Sequence, residues 1–139
     1  MRALATCILP SEDGRPGAAE ADAVTFITRA MQRPGFADTT RVLRVGLADL
    51  DARAVALGAR RGFADLAAAR QSALLHEVED TPFFTTARTL MVVGTFADPR
   101  HGGNRGRAGW QLADMEPRDH YQAPFGWYDA PRNETTSDR

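Results

Sequence analysis

Asp98-Pro99-Arg100-His101-Gly102-Gly103-Asn104-Arg105-Gly106-Arg107-Ala108-Gly109-Trp110 is the stretch on which the fold assignment turns. Four glycines, a proline and an asparagine lie between two large apolar residues, Phe96 and Trp110. No helix or strand tolerates that density of glycine. The stretch is therefore expected to be an ordered loop whose backbone is held close to something. A glycine loop that cradles phosphate needs a strand before it and a helix after it. Here the preceding residues have helical spacing and no helix is evident afterwards, so neither a dinucleotide fingerprint nor a P-loop fits.

Outward from the loop, the spacing predicts helices. Pro82 to Phe96 carries Phe83, Ala87, Leu90, Met91 and Gly94 on one face, and a proline is favoured in a first helical turn. Gly94 inside it marks a close-packing point. Ala64 to Glu79 is expected as another helix, with Leu66, Ala69, Ala73, Leu74 and Val78 inward and Phe63 as a staple at its start. A helix capped by Thr39 or Thr40 runs to about Leu57, with Leu43, Leu47, Leu50, Ala54 and Leu57 as its apolar face. Ala18 to Met31 presents Ala19, Ala23, Phe26, Ile27, Ala30 and Met31, and Pro34-Gly35 stops it. A short helix or turn covers Ala3 to Leu9 and ends at Pro10. The fold class is thus all-α: a small bundle of about four main helices, an ordered glycine-rich loop and an irregular aromatic tail. The helical domain is expected over residues 1–113 and an irregular extension over 114–139, in a chain of 139 residues.

Composition narrows the chemistry. The net charge is -1, which provides no field to draw nucleic acid or a membrane surface. Arg100, Arg105 and Arg107 among glycines are a weak RNA-binding signal, and the balanced charge argues against it. All 17 basic residues are arginine, so lysine nucleophiles and Schiff bases are excluded. That usage suits a GC-rich bacterial genome. Cys7, the single cysteine, can form neither an intrachain disulfide nor a zinc site, and reads as a buried apolar residue. No run approaches the ~20 apolar residues of a membrane span. The N-terminus lacks the long apolar core and small-residue cleavage site of a signal peptide, an expectation of cytoplasmic location unless an export signal preceded it.

The candidates for catalysis do not assemble. His76, His101 and His120 show no helical pairing or carboxylate at ligand spacing, so no metal site is expected. Ser11 and Ser72 lack a strand-turn-helix elbow. Glu77, Glu79 and Asp80 read as a solvated helix end. No catalytic, cofactor-binding or metal-binding residue is assigned. The tail aromatics Tyr121, Phe125, Trp127 and Tyr128 are costly to expose and are expected to pack on the helices or on a partner.

The order of landmarks resembles the gluconate 2-dehydrogenase subunit 3 family, the small subunits of flavin-dependent sugar dehydrogenases. The matching pieces are Ile8-Leu9-Pro10, Pro16-Gly17-Ala18, Phe26-Ile27, Gly46-Leu47, Leu50-Asp51, Gly62-Phe63 with Leu66, Gln71, Leu74-Leu75 and Phe83-Phe84. Asp98-Pro99 through Gly102-Gly103-Asn104 to Gly109-Trp110 closes the series. The resemblance covers about residues 4–113. It implies a non-catalytic accessory subunit, partnered in a hetero-oligomer with a large FAD subunit of the glucose-methanol-choline type. The flavin and the catalytic base would reside in that partner, which oxidises a sugar, sugar acid or glycoside hydroxyl and passes electrons to a cytochrome c subunit. Family members typically begin with a twin-arginine export signal, whereas the family-like region here begins near Met1. A tyrosine is more usual where His101 stands. The partner interface is expected to use His101, Gly102, Gly103, Asn104 and Trp110, together with Tyr121, Phe125, Trp127 and Tyr128. The alternative is a free-standing helical binding or regulatory module.

Overall fold

The computed structural model describes residues 1–115. The fold is all-α, with six helices and no strand among those residues: α1 (Arg2–Ile8), α2 (Ala23–Ala30), α3 (Ala37–Ala56), α4 (Ala68–Glu77), α5 (Pro82–Phe96) and α6 (Ala108–Leu112). The tail aromatics and the remainder of the expected 114–139 extension beyond residue 115 lie outside the described residues.

Helix α5 is the organising element, and it packs against α1, α2, α3 and α6. Its start follows from local chemistry. The Thr81 hydroxyl accepts from the Phe84 N–H at 3.2 Å, and Pro82 occupies the first turn, where its missing N–H costs nothing. Phe83, Ala87, Leu90, Met91 and Gly94 are all buried, as the spacing predicted. Each large apolar side chain so buried contributes roughly 1.5–3 kcal/mol.

Two glycines set how closely the other helices approach it. A Cβ at Gly46 of α3 would stand 2.1 Å from Cγ of Phe83, so only glycine allows the Phe83 ring to lie on the α3 backbone. A Cβ at Gly94 would meet the Ala23 carbonyl and the Phe26 ring at 3.0 Å. The close-packing point expected there is the crossing of α5 with α2.

Several boundaries differ from expectation, each for a long-range reason. Helix α2 begins at Ala23 rather than Ala18. The Ala18 N–H is taken by the Leu9 carbonyl at 3.0 Å, and Asp22 is left-handed at φ 57°. A Cβ at Gly17 would lie 2.3 Å from the same Leu9 carbonyl. The Leu9-Pro10 and Pro16-Gly17-Ala18 pieces are therefore two sides of one chain crossing. Glu20 secures it, accepting from the Ser11 hydroxyl at 2.5 Å and the Gly17 N–H at 3.0 Å.

Helix α3 begins at Ala37, after a 3-10 turn over Pro34–Phe36, so neither Thr39 nor Thr40 is its cap. The Thr40 hydroxyl instead donates to the Met31 carbonyl just after α2. Leu57, expected inward, follows the end of α3 and is exposed.

Helix α4 begins at Ala68 rather than Ala64. Asp51 of α3 accepts from the Phe63 N–H at 2.8 Å and fixes a separate 3-10 turn over Phe63–Asp65. The Gln71 amide then donates to the Phe63 carbonyl at 3.0 Å. With the start shifted, Leu74, Leu75 and Val78 face the core, whereas Ala69 and Ala73, expected inward, are exposed.

Candidate functional site

The glycine-rich stretch folds as two 3-10 turns, Pro99–His101 and Arg105–Arg107, followed by α6. A helix does follow the glycines, contrary to the sequence reading. The phosphate cradle still fails for want of a preceding strand, since α5 leads into the stretch, and two of the four glycines are already filled. A Cβ at Gly103 would lie 1.9 Å from the Gly94 carbonyl oxygen, and one at Gly109 would lie 1.9 Å from that of Thr95. Both glycines press backbone to backbone against the end of α5.

The reason is a capping problem. The last carbonyls of a helix have no partner within it. Here residues well beyond the helix supply the donors. The Asn104 N–H donates to the Gly94 carbonyl at 2.9 Å. The Asn104 amide donates to the Ala97 carbonyl at 2.9 Å, and the Trp110 indole N–H to that of Phe96 at 2.8 Å. Asn104 also accepts from the Gly109 N–H through Oδ1 at 2.8 Å, tying the start of α6 to the end of α5. Its side chain is wholly buried, and its backbone is left-handed at φ 48°, a region asparagine tolerates better than most residues. Gly-Gly-Asn to Gly-Trp is a clasp: the glycines permit contact and the asparagine and tryptophan satisfy the polar groups.

The structure thus divides the interface residues named from sequence. Gly103 and Asn104 are buried against α5 within this chain. His101, Gly102 and Trp110 are half-buried at the outer side of the clasp. Tyr121, Phe125, Trp127 and Tyr128 are outside the described residues.

Charged groups line this stretch, and the fold adds Arg29 and Asp22 to the arginines that the sequence already places there. The Arg29 side chain of α2 lies across Gly102, with a Cβ there 2.8 Å from its Cδ. Arg100 Nε lies 3.3 Å from His101 Nε2 and 3.7 Å from the Asp98 carboxylate. Arg105 pairs with Asp22 and donates its backbone N–H to the Ala21 carbonyl at 2.9 Å. Arg107 stands over the Trp110 ring, 6.0 Å from its centroid. The Asp22–Arg105 pair joins groups 83 positions apart, and no local signal announces it.

A second group lines a groove of about 440 Å³ between α1, α4 and α5. Cys7, Gln71, His76 and Glu79 all border it. His76 Nδ1 is 3.0 Å from Glu79 Oε2, an imidazole–carboxylate contact not expected from the sequence. The Cys7 thiol donates to Gln71 Oε1 at 3.5 Å. Burial pushes that thiol above its usual pKa, which keeps it protonated near neutrality and suppresses thiolate chemistry. Among the described residues there is no group of three or more His, Cys, Asp or Glu that could hold a metal ion. No described helix is long and apolar enough to cross a membrane.

Apolar side chains remain outside. Val45 and Val55 of α3, Leu57, and Val92 and Val93 of α5 are exposed. Val45 borders a groove of about 440 Å³ with Val42, Gly46, Val78, Pro82 and Phe83.

A comparison with protein families finds a match over residues 1–117, to the family described as gluconate 2-dehydrogenase subunit 3. No curated protein and no solved structure matches the chain.

Proposed function

The chain belongs to the gluconate 2-dehydrogenase subunit 3 family, and on that premise we propose that it is the non-catalytic accessory subunit of an FAD-dependent sugar or glycoside dehydrogenase. The partner is a large flavoprotein of the glucose-methanol-choline type. In this reading the flavin and the proton-abstracting base belong to the large subunit. The small subunit keeps that flavoprotein folded, stable or active. A cytochrome c subunit then takes the electrons.

The family match over residues 1–117 carries the proposal. The physics of the chain supports it. Gly17, Gly46, Asp51, Gly62, Gln71, Gly103, Asn104 and Gly109 all lie at internal joints of the fold. These residues join the helices to one another, even where Gly46 and Gln71 also border surface grooves. The exposed valines of α3 and α5 are apolar area that a subunit interface would remove from water.

Co-expression tests the reading. The reading requires a large flavoprotein partner, which is produced with and without this chain while soluble yield, flavin content and sugar-dependent reduction of a dye are measured. Copurification and a loss of soluble, flavin-loaded or active enzyme without this chain are expected. A flavoprotein equally soluble, flavin-loaded and active alone refutes the proposal.

A further inference from the structure

We infer that the outer face of the clasp, formed by Arg29, Arg100, His101, Arg105 and Arg107, docks onto a carboxylate-rich surface of the flavoprotein subunit. This rests on the function proposed above and adds a charged face to the apolar area through which that partner is met. On a chain whose net charge is -1, four arginines stand on or against the clasp stretch, and Asp22 and Asp98 are the carboxylates that pair with them. Those carboxylates engage Arg105 and Arg100. Arg29 and Arg107 have no carboxylate partner among the described residues. All four guanidinium side chains are exposed.

The backbone provides an independent argument. Arg107 is left-handed at φ 62°, ψ 27°, a conformation that is unfavourable for a bulky residue and free for glycine. Its neighbour Gly106 has the same φ of 62° and is a glycine. The clasp therefore holds an arginine where its own geometry favours glycine, and the side chain's internal contact is the Trp110 ring. Strain held in this way points to a contact made by the side chain outside the chain itself. Gly102, at φ 103°, adds to the design by leaving room for Arg29 to lie flat across the loop.

The shape favours a protein carboxylate over a nucleic acid. Guanidinium groups pair bidentately with carboxylates and steer association before contact. A single-strand binder needs aromatic faces free for stacking. Trp110 is half-buried, with its indole N–H held by Phe96 and Arg107 over its ring.

The test measures dissociation, on dilution, of the copurified complex of the full-length chain and the flavoprotein between about 0.01 and 0.15 M salt, over which the Debye length falls from about 30 to about 8 Å. Wild-type binding is expected to weaken with salt. The double variant Arg29→Glu/Arg107→Glu should bind about tenfold or more weakly at low salt and lose most of that salt dependence. Arg107→Gly relieves the backbone strain, so it should leave the melting temperature unchanged or raised while still weakening binding. Arg60→Glu, exposed between α3 and α4, should bind like wild type. If wild type binds and the clasp variants bind equally well, the docking inference falls and the subunit reading stands. If wild type does not bind the flavoprotein at all, both fall. A single-stranded oligonucleotide that binds the same arginines more tightly than the flavoprotein does also overturns the inference.

Discussion

Replacing Asn104 with alanine is the sharpest test of the clasp. The substitution orphans the Gly109 N–H, which is buried, at a cost of about 1–3 kcal/mol. It also removes the donor to the Ala97 carbonyl, which is half-buried and recovers part of its loss from water, costing about 0.5–1 kcal/mol. Alanine lacks the local hydrogen bonding that lets asparagine sit at φ 48°, which adds up to about 1 kcal/mol. The sum is about 3 kcal/mol, or roughly 10 °C in melting temperature for a domain of this size. Urea unfolding followed by circular dichroism measures it directly. Asn104→Gly separates the contributions, because it removes the side chain without the backbone penalty and should cost about 1 kcal/mol less. Asn104→Asp keeps the acceptor for Gly109 but turns a carboxylate oxygen toward the Ala97 carbonyl. Its folded pKa then lies above the unfolded value of about 3.9. The variant is accordingly penalised least below that pH, and the penalty reaches full size once pH passes the raised folded pKa. An Asn104→Ala variant within about 0.5 kcal/mol of wild type would show that the asparagine does not hold α5 to α6.

Other outcomes follow from the same joints. Gly46→Ala places a Cβ into the Phe83 ring and should destabilise by about 1–3 kcal/mol, with Phe83→Ala recovering part of that loss in a double-mutant cycle; strictly additive effects would mean the two do not touch. The Ser11 hydroxyl, first, and the Gly17 N–H hold the Glu20 carboxyl below its ordinary pKa. Its contribution is therefore present above the unfolded value of about 4.3 and is lost as pH falls through the lower folded value. Glu20→Gln should flatten that part of the acid-unfolding profile, and an unchanged profile would remove Glu20 from the joint. A fragment of residues 1–80, lacking α5, should show no cooperative thermal transition; a sharp one would mean the first four helices have a core of their own.

What was legible in the sequence was whatever local chemistry determines. The Thr81-Pro82 start and the apolar face of α5 were readable because cap, proline and stripe lie within one helix. The all-α class followed from the same periodicities. The start of α2 was not readable, because Asp22 is turned left-handed beside Arg105 and the Ala18 N–H is claimed by Leu9. The start of α4 was hidden for a similar reason: Asp51 captures Phe63 from another helix and ends the helical spacing there. The glycines of the clasp were recognised as a close backbone approach, but which surface they approach depends on where α5 ends in space. Arg29 escaped notice as part of that region, since nothing in its own helix points to Gly102. The polar groups around Cys7 and His76 likewise meet only once α1, α4 and α5 are assembled.

The central place of α5 bears on how the chain comes off the ribosome. Helices α1, α2 and α3 bury their apolar faces against a helix that is synthesised after them. Until Phe83, Ala87, Leu90 and Met91 have emerged, the apolar stripes of the first eighty residues lack the surface that covers them. Even then the carboxyl end of α5 stays uncapped until Asn104 and Trp110 follow. The Asn104–Trp110 joint is thus translated after α5, whose end it secures, and α1, α2 and α3 emerge with their apolar faces uncovered. A large partner made at the same time and place would meet that surface while it is still uncovered.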